Sequence, residues 1–367
     1  MKTIEFLKAN HFRFNALNDA FGIKIKDYPE EGIVVLNYDQ IESPKTDPIV
    51  MECRGLILDY HGNILARPFD RFFNLGEAPE TQAKLNMLEA VAYEKVDGSL
   101  IKIWYNPKTA VWNIATRGTA FAESNVGDHG ITFKELVYRA LGVQEHEFES
   151  LANNVLNKNI TYCFEVTAME NRVVTRYEGY TLHYLGARVT QTGEYCRDEQ
   201  LKNALSLGAK DIKQWNFSDT KQAIDAVNHL GNLEEGFVVW QDGKPICKIK
   251  SDAYVAVHHI RGEGLTQKRI CDLVISGEHE EYLTYFPEDR VHIEPVFQKY
   301  AALLSSIATA WKMTNTIGNQ KEFALAINKL HFKSVLFTMR NHGVTIHEAF
   351  NRLSDNTKRD MVMNHEV

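Results

Sequence analysis

The sequence has few cysteines, no long apolar run and no excess of positive charge, and each shortage excludes a class of protein. Its five cysteines are scattered, odd in number and without a Cys-x-x-Cys pair. This pattern argues against a disulfide framework and a zinc knuckle, and it favours buried free thiols in a reducing cytoplasm. No apolar run approaches the roughly 20 residues of a membrane span, and the first residues lack the apolar core of a signal peptide. We therefore expect a cytoplasmic protein without a membrane partner.

The net charge of −7 has the wrong sign for a protein that coats nucleic acid through bulk charge. It does not exclude an enzyme that concentrates its cations in one cleft. The 367 residues suffice for two domains, and contents of 44% apolar and 24% charged residues are ordinary for a globular protein. Because no repeat or low-complexity tract is visible, function has to be sought in individual motifs.

The pattern of the chain changes near residue 254. Before it, short alternating runs are separated by glycine and aspartate turns, which predicts strands. After it, apolar residues recur every three or four positions, which predicts helices over 270–275, 296–310, 323–330, 335–339 and 346–353. We therefore expect an α+β fold. Its first domain, residues 1–254, would contain antiparallel sheets with flanking helices, and residues 255–367 would form an all-α C-terminal domain.

The helical part carries the best basic patch in the chain. Between positions 312 and 340, five basic side chains stand against Glu322 alone. A solvated helix face is the default interpretation of such a run, and an RNA-binding surface is the alternative. The five residues are Lys312, Lys321, Lys329, Lys333 and Arg340.

A lysine at a predicted turn is the first candidate for chemistry. Lys95-x-Asp97-Gly98 separates two strand-like runs, and Asp-Gly in that position is a strong hairpin signal. Lys95 would then lie at a strand end, where a lysine can act as a nucleophile if burial or neighbouring cations lower its pKa. Taken alone, the pattern is more often a surface hairpin.

Four further motifs follow the same logic. Arg54 precedes a glycine at a strand entrance, Glu165 lies on a strand, and Glu235 precedes another. Lys248 and Lys250 are two residues apart, so they face the same side of a strand. A solvated strand face would explain the two lysines equally well, but they could also line a cleft.

In chain order, these motifs resemble those of the covalent nucleotidyltransferases, which include ATP-dependent ligases and mRNA capping enzymes. The finer similarity, from about residue 54 to residue 258, is to the bacteriophage RNA ligase 1 family of tRNA-repairing, ATP-dependent RNA ligases. The segments that carry it are Glu52-Cys53-Arg54-Gly55, Arg67-Pro68, Phe72-Phe73-Asn74-Leu75, Asp97-Gly98-Ser99-Leu100, Asn171-Arg172, Glu235-Gly236 and Lys248-Ile249-Lys250-Ser251-Asp252.

The resemblance implies a nucleotidyltransferase domain of the ATP-grasp-like ligase type and a reaction in three steps. The amine of Lys95 attacks the α-phosphorus of ATP and releases pyrophosphate. AMP then passes to a 5′-phosphate RNA end, and a 3′-hydroxyl attacks that end, which seals the strand and releases AMP. The cofactors implied are ATP and Mg²⁺, with Mn²⁺ as a substitute.

The resemblance also assigns residues. Lys248 and Lys250 would lower the pKa of Lys95 and hold the α-phosphate. Glu165 and Glu235 would hold magnesium, directly or through water. The implied catalytic residues are Lys95, Lys248 and Lys250. The implied nucleotide-binding residues are Arg54, Arg71, Phe73, Lys95, Glu165, Glu235, Lys248, Lys250 and Tyr254, with Arg117 nearby. The chain departs from the phage enzyme at Arg71, where that enzyme has lysine, and at Leu36, where it has an aromatic residue.

The implied partner is RNA with 5′-phosphate and 3′-hydroxyl ends, such as a tRNA cleaved in its anticodon loop. An end-healing polynucleotide kinase/phosphatase would prepare those ends, and we expect the ligase to be a monomer in the host cytoplasm. A DNA ligase or capping enzyme would need a β-rich domain after Lys250, where strand patterning is absent. A catalytically silent RNA-binding relative would be expected to have lost Lys95 or one of the two later lysines. A plain scaffold would have to explain the order of the motifs by chance.

Overall fold

The computed structural model describes residues 1–231, 233–261 and 265–365, apart from the side chains of residues 259–261 and 281. Contacts divide the chain into two compact units, Met1–Ala256 and Val257–Val367. The first contains sheets and helices, and the second is helical wherever it has regular structure. Within the described ranges, no helix is long and apolar enough to cross a membrane.

All strands found in the described part of the chain lie in the first unit. They are β1 (Ile23–Tyr28), β2 (Ile33–Tyr38), β3 (Arg54–Asp59), β4 (Ile64–Ala66), β5 (Phe73–Asn74), β6 (Val91–Glu94), β7 (Ser99–Asn106), β8 (Val111–Thr116), β9 (Ile160–Thr167), β10 (Thr181–Val189), β11 (Lys210–Asp211), β12 (Gln214–Trp215), β13 (Gly236–Gln241) and β14 (Lys244–Lys250). Among the described residues they form three sheets, ordered β1-β2-β3-β4, β11-β10-β9-β7-β8 and β12-β6-β13-β14-β5. The sheets were expected to be antiparallel, but β10–β11 and β14–β5 are short parallel pairs.

The helices are α1 (Lys2–Ala9), α2 (Asn15–Phe21), α3 (Pro48–Glu52), α4 (Pro79–Gln82), α5 (Phe133–Leu141), α6 (Glu145–Val155), α7 (Arg197–Leu207), α8 (Thr220–Asn228), α9 (Asp252–Arg261), α10 (Gln267–Ser276), α11 (His279–Tyr285), α12 (Arg290–Thr314), α13 (Gln320–Ile327), α14 (Lys333–His342), α15 (Ile346–Asn351) and α16 (Asp355–Met363). The apolar spacing predicted α10 and α12 to α15 but missed α9, α11 and α16. The helical character expected of the C-terminal part is confirmed.

Side-chain caps fix where several helices of the second unit begin. Thr345 and Glu348 form a capping box at α15, in which each side chain accepts a hydrogen bond from the other residue's backbone N–H. Asn319 accepts hydrogen bonds from the first amides of α13. These bonds satisfy donors that lack partners inside a helix, so such residues stop the helix from extending toward the N-terminus.

One member of the predicted basic patch has a structural role. Arg340 donates hydrogen bonds from Nη1 to the carbonyl oxygen of Ile317 at 2.6 Å and from Nη2 to that of Gly318 at 2.8 Å. Its guanidinium also lies 4.4 Å from the ring centre of Phe323. Arg340 therefore links α14 to the segment before α13, and its guanidinium is used in contacts within the fold.

The lysine-bearing segment 95–98 is not a hairpin, contrary to the sequence prediction. Strand β6 before it pairs with β12 and β13, whereas β7 after it pairs with β8 and β9 in another sheet. Residues 95–98 therefore cross from one sheet to the other, and we call them the crossing segment. A Cβ at Gly98 would lie 2.4 Å from the carbonyl oxygen of Val166, so only glycine fits at this position. The Asp97 carboxylate accepts hydrogen bonds from the backbone of Val174 at 2.8 Å and Thr175 at 2.7 Å, which fixes the crossing.

Each sheet packs helices on one face. The sheet of β7 to β11 buries Tyr162 and Phe164 together with residues of α5, α6 and α7. The sheet of β6, β13 and β14 buries Val239 and Cys247 together with residues of α8. Because one face of each sheet is covered by helices, the functional side chains lie on the remaining faces.

Candidate active site

Five of the predicted site residues line one cavity beside the segment that carries Lys95. Lys95 lines it, as do Glu165 from β9, Lys248 and Lys250 from β14, and Arg54 from the start of β3. The rest of its wall includes the apolar residues Phe69, Phe72, Tyr93, Val96, Leu100, Leu185, Ile212, Val238 and Trp240. The cavity thus combines a cluster of cations with an apolar surface, a combination suited to a flat heterocycle that carries phosphate.

Lys95 is paired with a buried carboxylate. Its Nζ lies 2.6 Å from Oε2 of Glu235, and Nζ of Lys250 lies 2.9 Å from Oε1 of the same residue. The Glu235 side chain is 5% exposed. Burial would raise the pKa of Glu235, but Lys95 and Lys250 outweigh it and hold this pKa below its usual range. The charge of Lys95 is thus paired with a buried carboxylate that stays ionised.

Lys248 is the most enclosed cation of the cavity. Burial lowers its pKa to about 7, and the nearby charges of Arg54 and Lys95 act in the same direction. Its Nζ lies 5.1 Å from the ring centre of Phe72. An anion placed between these cations would relieve their mutual repulsion, so the arrangement favours a phosphate-bearing ligand.

Arg54 has an unused donor in the same place. Its Nη1 is buried and has no hydrogen-bond partner among the described residues. Its guanidinium lies 5.5 Å from the ring centre of Phe72, on which Lys248 also rests. A buried donor without a partner is costly, and a ligand oxygen would remove that cost.

A second group of arginines surrounds Tyr38 at the end of β2. Arg71 donates from Nη1 to the Tyr38 hydroxyl at 2.8 Å, and the guanidinium of Arg117 lies 5.7 Å from the same ring. Burial would raise the pKa of Tyr38, but Arg54, Arg71 and Arg117 together lower it. Glu77 pairs with Arg71, with 3.3 Å between Nη2 and Oε1, so one carboxylate stands against the three arginines near Tyr38. The remaining positive charge suits an anionic ligand.

Glu165 and Glu235 supply the hard carboxylate oxygens that magnesium prefers as ligands. Burial raises the pKa of Glu165 to about 8, while both oxygens of Glu235 are bonded to lysines. Within the described ranges, no group of three or more His, Cys, Asp or Glu side chains is arranged to hold a metal. Two carboxylates are nevertheless the usual protein share of a magnesium site in which phosphates and water complete the coordination.

Tyr254 contacts the crossing segment and does not line the cavity. Its hydroxyl donates to Oδ1 of Asp97 at 2.8 Å, and the side chain is buried. The Nζ of Lys250 lies 5.5 Å from its ring centre. Tyr254 thus buttresses both the segment that carries Lys95 and one of the two later lysines.

Two aromatic positions differ from the sequence prediction. Phe73 is buried beneath Arg71, whose guanidinium lies 4.9 Å from its ring centre, and it does not line the cavity. Its neighbour Phe72 lines it instead. Sequence reasoning also missed Tyr38 and the apolar wall, although Val238 and Trp240 alternate along one strand and so share a face.

Comparison with known proteins adds the following. The profile of the RNA ligase family matches residues 52–254. A protein of Autographa californica nuclear polyhedrosis virus, provisionally named a bifunctional polynucleotide kinase/RNA ligase, is 35% identical over 366 residues, which cover 95% of this chain and 51% of that protein. An RNA ligase of Rhodothermus phage RM378 is 24% identical over 360 residues, which cover 78% of this chain and 80% of that one. A mutant Naegleria gruberi RNA ligase solved with ATP and Mn has a TM-score of 0.40 and 15% identity, covering 51% of this chain and 56% of that one. The chain spans about half the length of the viral relative.

Proposed function

The chain belongs to the RNA ligase family of the bacteriophage RNA ligase 1 type, whose profile matches more than half of its residues, and on that premise we propose that it joins RNA ends with ATP. The observation that carries the proposal is the surrounding of Lys95. Its Nζ is held 2.6 Å from a buried carboxylate, beside a cavity lined by Lys248, Lys250 and Arg54. A nucleophilic amine next to a cationic phosphate site is what nucleotidyl transfer to lysine requires.

In the first step, the ammonium of Lys95 leaves Glu235 and gives up a proton to water. The resulting amine forms a bond to the α-phosphorus of ATP, and a second proton passes from its nitrogen to water. The bond between the α-phosphorus and the bridging oxygen breaks, and pyrophosphate leaves. Lys248 and Lys250 hold the α-phosphate and balance the charge that develops on it. Arg54 and Arg71 hold the rest of the triphosphate, where a guanidinium can grip two oxygens.

Magnesium, when bound, neutralises the phosphates and orients the leaving pyrophosphate. Glu165 and Glu235 would hold it, directly or through water, and Mn²⁺ would substitute. The purine stacks on the apolar wall, where Phe72 and Trp240 provide aromatic surface. Three residues would support the nucleotide site without lining the cavity, namely Phe73, Tyr254 and Arg117.

In the later steps, a 5′-phosphate RNA end takes AMP from Lys95, and a 3′-hydroxyl then displaces AMP to seal the strand. We assign nucleotidyl transfer to residues 1–254 and recognition of the RNA, for which a cleaved tRNA is our candidate, to residues 255–367. An end-healing kinase/phosphatase would supply the 5′-phosphate and 3′-hydroxyl ends. If a phage or virus encodes it, the protein would act as a monomer in the cytoplasm of the host cell.

The test uses the full chain, Mg²⁺ and ATP labelled at the α-phosphate. We expect acid-labile, covalent labelling of the wild-type protein and none of Lys95→Ala. Absence of label from the wild-type protein, or normal labelling of Lys95→Ala, would overturn the proposal. Labelling by GTP but not by ATP would identify a capping-type enzyme, and preferential sealing of nicked DNA would identify a DNA ligase.

A further inference from the structure

Arg188 on β10 is a buried arginine that does not line the cavity, and it is 3% exposed. Its Nη1 donates to the carbonyl oxygen of Pro68 at 2.7 Å and to Oδ1 of Asp70 at 2.8 Å, and its Nη2 donates to Oδ2 of Asp70 at 3.1 Å. Its Nε donates to the carbonyl oxygen of Gly193 at 2.8 Å, and the ring centre of Tyr195 lies 4.4 Å from the guanidinium. Most of these bonds converge on residues 68–70.

The segment that receives these bonds has no sheet to hold it. Residues 67–72 connect β4 to β5 without regular secondary structure. In its middle, the backbone N–H of Asp70 points to the hydroxyl of Tyr195 at 3.4 Å, which is a weak hydrogen bond. At either side, the backbone N–H of Arg67 donates to Oγ1 of Thr161 at 3.0 Å, and that of Arg71 donates to the carbonyl oxygen of Met51 at 2.8 Å. The fork between Arg188 and Asp70 holds the middle of the segment, because two parallel charge-assisted bonds define both distance and orientation.

The same segment supplies two parts of the candidate site. Phe72 lines the cavity and lies beneath both Arg54 and Lys248. Arg71 leaves the segment between the rings of Tyr38 and Phe73, at 5.0 and 4.9 Å. They are the next two residues after Asp70, so a change in the position of Asp70 is transmitted to them through the backbone.

Arg188 keeps its charge in its buried position. Burial would lower the pKa of Arg188, but Tyr195 and Asp70 outweigh it and raise that pKa. The Asp70 side chain is 30% exposed, so only one member of the pair is fully removed from water. A buried arginine paired in this way keeps its geometry at the cost of desolvation, which favours a positioning role over a gain in stability.

We propose that Arg188 and Asp70 form a positioning pair that sets Arg71 and Phe72 against the nucleotide. The proposal rests on the proposed function, since it specifies how the nucleotide site of that function is kept in shape. Neither residue touches the ligand, so their loss should weaken ATP binding and leave the chemical step at saturating ATP nearly unchanged.

The test compares Arg188→Lys and Asp70→Asn with a matched control, Arg359→Lys. Arg359 forms an equivalent fork with Asp272 inside the second unit, with Nε to Oδ1 at 2.7 Å and Nη2 to Oδ2 at 3.0 Å. Arg188→Lys keeps the charge but loses the fork, and Asp70→Asn keeps the shape but loses the ion pair. The ATP dependence of self-labelling and the melting temperature are measured for all four proteins.

We expect KM for ATP to rise about tenfold in both test variants, with the rate at saturating ATP within about twofold of wild type. Arg359→Lys should label like wild type. Unchanged KM in a folded Arg188→Lys or Asp70→Asn would overturn the inference, as would a smaller labelled fraction at unchanged KM, which indicates a merely structural role. If Arg188→Lys does not fold, Asp70→Asn decides. A wild-type protein that takes no label would overturn the proposed function itself, and with it this inference.

Discussion

Replacing Glu235 with glutamine tests the centre of the site, because one buried carboxylate holds both Lys95 and Lys250. The substitution keeps the side-chain shape but removes the charge that accepts two hydrogen bonds, at 2.6 and 2.9 Å. A hydrogen bond to a charged group contributes about 1.5 to 3 kcal/mol. The two lysine side chains are 22% and 30% exposed, so water screens part of this contribution. We expect Glu235→Gln to lower the free energy of unfolding by about 2 kcal/mol at pH 7.

The neighbouring Glu234 provides the control. Its carboxylate lies 3.6 Å from Nζ of Lys213, in a pair whose side chains are 32% and 66% exposed. Such a surface pair contributes little, so Glu234→Gln should leave the melting temperature nearly unchanged. For a unit of this size, about 2 kcal/mol corresponds to a fall of about 5 °C in the melting temperature of Glu235→Gln.

The pH dependence makes the prediction specific. The folded protein holds the pKa of Glu235 below its ordinary value of 4.5. Its ion pairs therefore stabilise the fold fully above that value, and the contribution is lost as the pH falls through the lowered pKa. The difference between wild type and Glu235→Gln should shrink in acid, as followed by thermal unfolding at a series of pH values. Equal melting temperatures for wild type and Glu235→Gln at pH 7 would refute the reasoning. So would a difference in melting temperature between them that stays the same as the pH is lowered.

Three further predictions concern self-labelling and joining. Lys248 loses its charge as the pH rises above about 7, so KM for ATP should rise about tenfold toward pH 9, and Lys248→Arg should flatten that profile. Gly98→Ala should slow labelling about a hundredfold because its Cβ would meet a carbonyl oxygen at 2.4 Å. Gly118→Ala is the control and should label at the wild-type rate, because a Cβ at Gly118 would meet no atom within 4 Å. Equal labelling rates for Gly98→Ala and Gly118→Ala would contradict the close approach of Gly98 to Val166. Neutral glutamine at three lysines of the second unit should weaken RNA joining and reduce its salt dependence while sparing self-labelling, and lost labelling would contradict this prediction. The three are Lys321, Lys329 and Lys333.

The sequence predicts those parts of the site that depend on strand alternation. Lys248 and Lys250 share a face because side chains alternate along a strand, and Cys247 and Ile249 are buried on the other face. Glu165 follows from the same rule on β9. These residues could be placed without knowing which strands pair, since the period of an extended chain is local.

Pairing itself could not be predicted in the same way. Asp97-Gly98 has the local chemistry of a hairpin, yet the strands on either side pair with β13 and β9, which come much later in the chain. Long-range pairing thus outweighed a local turn signal. The sequence could not tell which of Phe72 and Phe73 lines the cavity, for a related reason. Residues 67–72 are irregular, so no period tells which aromatic ring faces the cavity.

The charges of the cavity extend from different sheets of the fold, with Arg54 at the start of β3. Lys248 and Lys250 extend from the sheet that contains β6, whereas Glu165 extends from the sheet that contains β7. A ligand that contacts both walls is therefore a noncovalent cross-link, and its binding free energy adds to the resistance of the first unit to unfolding. A small shear of one layer against the other would separate cations from carboxylate without breaking any strand pairing. Affinity can thus change while every sheet stays intact.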